Sequence, residues 1–111
     1  MNYDKKRFRP VQTSKNGETD EETIFEYHQT ANYLKAVYKG RYIVFGQLIG
    51  IVAKDGSIDM RYQQINNKGV LMTGMCKSIP QVMDNGKIRL HESWQWTSGD
   101  GSKGTSILEE I

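Results

Sequence analysis

One stretch decides the fold, KIRLHESWQWTSGDG at residues 87–101. Its apolar side chains recur at every second residue, which is the period of a β-strand rather than of a helix. We therefore predict a strand that turns one face towards a hydrophobic core. The face that we expect to point inward carries Ile88, Leu90, Glu92, Trp94 and Trp96.

Glu92 is the exception on this apolar face. A charged carboxylate is costly to bury unless it is paired or protonated. One interpretation is structural, with Glu92 hydrogen-bonded to Arg61 or Tyr62 from a neighbouring strand. The other is functional, because a carboxylate beside Trp94 and Trp96 on a concave sheet can act as an acid of raised pKa or accept a hydrogen bond from a ligand amine.

The rest of the chain shows the same kind of pattern. Short alternating stretches recur about every 8 to 15 residues, with glycine-containing turns between most of them and no convincing helix, which is typical of an antiparallel meander. The N-terminal region is polar and offers only a short strand around Phe8, Pro10 and Val11. The other predicted strands cover residues 23–29, 33–38, 42–53, 57–66, 70–78, 87–97 and 104–111.

Glycine and proline interrupt two of these stretches. Gly46 and Gly50 lie within the most apolar run, and we interpret them as bends or a bulge in a curved strand. Pro80 is expected to end the strand at 70–78, because proline cannot donate to a sheet ladder. Residues 81–86 then form a loop.

These elements predict an all-β fold. An antiparallel up-and-down meander of about seven to nine strands must close to protect its edges, and we expect a small calycin- or lipocalin-like barrel. The alternative is a two-sheet sandwich. A chain of 111 residues fits one domain. In this scheme residues 1–22 are a polar N-terminal arm that contributes at most a short edge strand.

Composition excludes several classes of function. A net charge of +2 is too small to indicate a nucleic-acid or membrane surface. Cys76 is the only cysteine, so no internal disulfide forms, and with no apolar leader we expect a cytoplasmic protein. His28 and His91 lack the spacing of metal ligands, so we predict no metal and no cofactor.

A resemblance to a known family rests on five strings of residues: GQLIG at 46–50, IDMRY at 58–62, TGMCKS at 73–78, GKIRLHESWQWTSGD at 86–100 and SILEE at 106–110. They resemble a family of small bacterial proteins that often carry the label N-acetylglutamate synthase. The similarity extends from about Phe8 to Ile111.

That label implies an N-acetyltransferase that uses acetyl-CoA. Such enzymes hold the CoA pyrophosphate on a Gln/Arg-x-x-Gly-x-Gly/Ala turn that opens a helix. Residues 47–52 are similar to this motif and depart from it at Val52, but a hairpin turn at residues 53–56 follows instead of a helix. Acetyl transfer is therefore an alternative and not our first prediction.

Our first prediction is a non-enzymatic protein, without catalytic residues, that binds an apolar or amphipathic small molecule. A third alternative is an interaction module that forms a homodimer through an exposed edge strand. The residues that we expect to line the binding site are Arg61, Tyr62, Glu92, Trp94 and Trp96.

Overall fold

The structure is a closed barrel of eight antiparallel strands, seen in a computed structural model that describes all 111 residues. The strands are β1 (Arg7–Thr13), β2 (Ile24–Thr30), β3 (Tyr33–Lys39), β4 (Ile43–Val52), β5 (Ile58–Asn66), β6 (Leu71–Val82), β7 (Ile88–Trp96) and β8 (Lys103–Glu110). Each strand pairs with the next, and β8 pairs with β1. The predicted up-and-down barrel is confirmed, and the two-sheet sandwich is wrong.

Closure removes most of the sheet edges. Because β1 lies between β2 and β8, it is not the edge strand that we predicted. Closure leaves only short stretches of strand without a neighbour on one side, in β1 beyond Phe8 and in β6 beyond Ser78, and a homodimer that pairs through such an edge stays a prediction. No helix in the structure is long and apolar enough to cross a membrane.

The N-terminal segment differs most from its prediction as a polar arm. Tyr3 is fully buried, and its ring packs edge-on against Tyr27 at a centroid distance of 6.1 Å. The Tyr3 hydroxyl donates a hydrogen bond to the Gly56 carbonyl oxygen at 2.5 Å. A single aromatic residue in a polar context has no periodicity, so the pattern could not reveal its burial. This segment closes one end of the barrel.

The glycines inside the strands make room for aromatic rings. A Cβ at Gly46 would lie 2.2 Å from the Tyr38 ring, and one at Gly74 would lie 2.2 Å from the Tyr62 ring. In both cases the ring belongs to the residue directly opposite on the adjacent strand. The irregular register of β4 lies between Ile43 and Phe45, before Gly46 and Gly50 rather than at either of them. The predicted bulge was therefore misplaced by a few residues.

Pro80 does not end its strand, as we had predicted. β6 continues to Val82 and stays paired with β7 there. Its pairing with β5 ends at Ser78, so the last residues of β6 have a neighbour on one side only. A residue without an N–H is tolerated at such a half-open position. The loop predicted at 81–86 is correspondingly shorter.

The connections divide the barrel into two ends, because successive turns of a meander lie at opposite ends. We call the mouth the end formed by residues 14–23, 40–42, 67–70 and 97–102. The opposite end contains Tyr3. Along β7, Trp96 is nearest the mouth, and Leu90 and Ile88 lie towards the closed end. Glu92 therefore sits near the middle of the barrel.

Candidate functional site

A cavity of about 50 Å³ lies inside the barrel between Glu92 and the β1–β2 loop. That volume holds a few water molecules and is smaller than the roughly 150 Å³ cavity in which a benzene molecule fits. Its lining is mainly aromatic and aliphatic, with a few polar groups. The polar side chains that line it include Thr13, Glu18, Tyr27, Tyr38, Tyr62, Gln64, Glu92 and Ser106.

The floor of the cavity is polar. Ser78, which pairs with Glu92 across β6 and β7, donates its hydroxyl to Glu92 Oε2 at 2.5 Å. Tyr27 projects from β2 into the same region, and its buried hydroxyl has no hydrogen-bond partner in the protein. A buried donor without a partner costs free energy, so this group is suited to a ligand acceptor or a bound water.

Burial changes the protonation of Glu92. Removal of the carboxyl from water raises its pKa to about 7, and the Ser78 hydroxyl partly opposes this rise. No cation neutralises the group. The negative charge of Glu92 in turn contributes to a raised pKa at Tyr27, after the larger effect of burial. At neutral pH the carboxyl is thus poised between its acid form, which can donate a hydrogen bond, and its ionised form, which only accepts.

The walls of the cavity are aromatic. Trp94 and Trp96 meet nearly edge-on with centroids 5.7 Å apart, and Tyr62 meets Trp96 in the same way at 5.8 Å. Both indole N–H groups are already occupied: Trp94 donates to Ser106 Oγ at 2.8 Å, and Trp96 donates to the Asn16 carbonyl oxygen at 3.0 Å. The ring surfaces therefore offer apolar contact rather than hydrogen bonds.

The mouth carries two buried amides, Gln64 and Asn66. Gln64 Nε2 and Asn66 Nδ2 each donate to a different carboxylate oxygen of Glu18, both at 2.8 Å. Glu18 belongs to the β1–β2 loop, and its neighbours Gly17 and Thr19 also line the cavity. The loop therefore lies across the mouth.

The predicted site residues fall into two groups. Tyr62, Glu92, Trp94 and Trp96 all line the cavity, although their role in binding stays a prediction. Arg61 does not belong with them. It lies on the outer surface, where its Nη1 contacts Asp59 Oδ1 at 2.7 Å, so the expected pair with Glu92 is wrong. Consecutive residues of a strand point to opposite faces, so Arg61 and Tyr62 cannot both face inward.

The residues of the site that escaped the sequence reasoning include Tyr27, Gln64 and Glu18. The first two follow from alternation, since Tyr27 shares a face with Phe25 and Gln64 shares one with Tyr62. Nothing local marks Glu18, because a loop residue has no periodicity and its partners lie more than 40 positions away in the sequence.

The remaining reactive side chains do not form a site. No three His, Cys, Asp or Glu side chains come together as a possible metal site. Cys76 is buried, and this burial raises the pKa of its thiol. His28 contacts Glu26 at 3.4 Å and His91 contacts Gln81 at 2.7 Å, on different parts of the barrel surface.

A closed up-and-down barrel of eight antiparallel strands around an internal cavity defines the architectural class of this protein as a small calycin-like barrel. A family model described as Avidin-like protein matches residues 1–111. The chain belongs to this Avidin-like family, and its calycin-like architecture is thereby confirmed. No curated protein and no solved structure matched the chain.

Proposed function

We propose that the protein binds a small amphipathic molecule inside the barrel without transforming it. The apolar part of the ligand lies against Trp94, Trp96 and Tyr62, and a polar group reaches Glu92 and Tyr27. The observation that carries this proposal is the Tyr27 hydroxyl, a fully buried donor beside the cavity that no protein group satisfies. Membership of the Avidin-like family supports a small-molecule role.

The size of the cavity sets a condition on binding. Ligand pockets usually measure about 300 Å³ or more, whereas this cavity measures about 50 Å³. The strands around it form a closed ladder, in which β1 and β2 pair at only two positions. The β1–β2 loop, in contrast, rests on the mouth through side-chain contacts. We therefore infer that a ligand enters when the middle of this loop moves.

Tryptophan fluorescence provides the test. Trp94 and Trp96 are the only tryptophans, and both line the cavity. We expect 1-octanol and other small amphipathic molecules to shift the emission in a saturable way, and we expect Tyr27→Phe to weaken ligands that accept a hydrogen bond. Biotin is a natural first probe, because avidin-like barrels bind small ligands of this kind. Absence of any saturable shift across the panel would contradict the proposal.

A second candidate function is self-association through the outer face of the barrel. Val44, Phe45, Ile49 and Ile51 of β4 are all exposed, with Ile49 at 68%. Ile65 lies opposite Phe45 on β5 and is exposed as well. Such a concentration of apolar side chains is typical of an interaction surface. Sedimentation equilibrium should give a dimer mass that Ile49→Lys returns to the monomer; a wild-type monomer at all concentrations contradicts this candidate.

Acetyl transfer, the alternative implied by the family resemblance, finds no support in the geometry. Residues 47–52 lie within β4, and β4 leads into a hairpin rather than a helix. The helix N-terminus that would hold a pyrophosphate is therefore missing. We expect calorimetry with acetyl-CoA and glutamate to give no binding heat and the mixture to give no acetylated product.

A further inference from the structure

We propose that Gln64 and Asn66 form a carboxylate-binding subsite at the mouth, and that Glu18 occupies it in the ligand-free protein as an internal substitute. The ligand class is accordingly an amphipathic carboxylate. This inference rests on the proposed binding function and specifies its ligand.

The two amides are fixed in orientation. Gln64 Oε1 accepts a hydrogen bond from the Tyr38 hydroxyl at 2.8 Å. Asn66 Oδ1 accepts from the backbone N–H groups of Lys68 and Val70, both at 3.0 Å. Because each carbonyl oxygen is engaged, neither amide can exchange its oxygen and nitrogen without losing a bond. Both N–H₂ groups therefore stay directed at the place where the Glu18 carboxylate lies.

The need for an acceptor at that place follows from burial. Gln64 is 3% exposed and Asn66 is 7% exposed, so their donors have little access to water. If Glu18 withdrew and nothing replaced it, both donors would be left unsatisfied, which is unfavourable. A carboxylate is well suited as a replacement, since it offers one oxygen to each amide.

Glu18 is positioned so that it can leave. Its carboxylate forms no ion pair, and both of its hydrogen bonds go to neutral amides. The loop is held independently on either side of it. Before Glu18, the Asn16 side chain donates to the Lys103 carbonyl oxygen at 2.9 Å. After it, Glu22 forms two hydrogen bonds with Arg41, at 2.7 and 3.1 Å. Residues 17–19 can therefore move while the ends of the loop remain attached.

These contacts make opening and binding interdependent. A ligand carboxylate that takes the two amide donors removes the main interaction that keeps Glu18 over the cavity. Its apolar chain then extends along the rings of Trp94 and Trp96 towards the floor. A neutral ligand of the same length makes the apolar contacts but replaces only part of what Glu18 provides. The subsite therefore selects carboxylates over alcohols.

The experiment compares octanoate with 1-octanol on the full-length chain. The key variant is Glu18→Ala, which removes the internal carboxylate, and the matched control is Glu21→Ala, an exposed residue of the same loop. Loss of the competitor should raise the affinity for octanoate by about tenfold, equivalent to about 1.4 kcal/mol, and should also raise the affinity for 1-octanol, because both ligands displace Glu18. Glu21→Ala should change neither affinity.

Two further measurements keep the result interpretable. Asn66→Leu removes one donor and should weaken octanoate but not 1-octanol; its thermal unfolding verifies that it folds. In the wild-type protein, nuclear Overhauser effects should connect the side-chain amide protons of Gln64 and Asn66 to the α-methylene protons of octanoate, because the ligand carboxylate lies on these two amides. These signals report the subsite directly, even if one variant fails to fold.

The outcomes separate this inference from the function on which it rests. If both ligands bind and Glu18→Ala leaves the octanoate affinity unchanged, or if Asn66→Leu weakens both ligands equally, the subsite is refuted while the binding function stands. If octanoate binds without nuclear Overhauser effects to the two side-chain amides, the subsite is likewise refuted. If no ligand of the panel binds to any form, the proposed function itself fails, and the subsite fails with it.

Discussion

Replacement of Glu92 by Gln removes the carboxylate on the inner face of β7 and keeps a side chain of nearly the same size. The Ser78 hydroxyl can still donate to the amide oxygen at this position, as it does to Glu92 Oε2. The variant therefore tests the charge of the group with little change in packing. We expect its stability to lose most of the pH dependence that the wild-type protein shows near neutrality.

The magnitude follows from the pKa of Glu92, which burial raises from 4.5 to about 7. Between these values the native state binds a proton that the unfolded chain releases, so stability falls as pH rises. The stabilisation is fully present below about pH 4.5 and is lost as pH rises through about 7. Each pH unit in this window corresponds to about 1.4 kcal/mol, which gives roughly 3 kcal/mol in all.

The assay is urea unfolding of both proteins from about pH 5 to pH 8, which brackets most of the transition. Glu92→Gln should gain stability relative to the wild type as pH rises, by as much as about 3 kcal/mol at the alkaline end. Glu21→Gln serves as control, because Glu21 is exposed on a loop and should follow the wild-type curve.

Parallel curves for wild type and Glu92→Gln across this range would refute the reasoning, since they would mean that Glu92 ionises as readily in the fold as in water. Glu22, Asp55 and Asp100 do not mimic the effect. Their pKa values are lowered by hydrogen bonds from Arg41, Ser57 and Ser102, so their contributions are lost only at acid pH.

Three further predictions concern neighbouring features. Ser78→Ala should raise the pKa of Glu92 above about 7, because the carboxylate loses its only side-chain donor. An NMR titration of the Glu92 carboxyl carbon measures this pKa, and an unchanged midpoint contradicts the prediction. Tyr3→Ala should lower the free energy of unfolding in urea by about 3–5 kcal/mol, because it empties a fully buried aromatic position. A decrease below about 1 kcal/mol would mean that the N-terminal segment does not close the barrel. Gly74→Ala should lower the free energy of unfolding by about 1–3 kcal/mol and change the environment of Tyr62, because the new Cβ would lie 2.2 Å from the Tyr62 ring. Thermal unfolding measures the first effect and near-ultraviolet circular dichroism the second. A variant that matches the wild type in both contradicts the close packing.

Much of the fold was predictable because its signals are local. The alternation of Ile88, Leu90, Trp94 and Trp96 predicts an inward face, and all four are buried. Turn residues such as Asp55-Gly56 predict hairpins that the structure confirms, with Gly56 at a φ of +86°. Period and turn chemistry depend only on neighbouring residues, so a single sequence contains them.

The site was only partly predictable, and the error at Pro80 explains one failure. The ladder between β6 and β7 runs on to Val82, and its register places Ser78 opposite Glu92. A strand that ends before Pro80 does not predict this register. Glu92 was correctly placed on the inner face, but its partner was sought in Arg61 or Tyr62 of β5, a strand that does not adjoin β7. Strand register depends on where hairpins start and end, and small errors there change every cross-strand neighbour.

The sequence by itself determined the strand periodicity, the meander order and the inward position of Glu92, because these depend on contacts between residues close in the chain. Only the tertiary structure decided that β1 closes against β8, that Tyr3 fills one end and that Glu18 lies across the mouth. Those contacts join residues far apart in sequence, and their free energy appears only when the curved sheet closes on itself. The cavity beside Glu92 is a product of that closure.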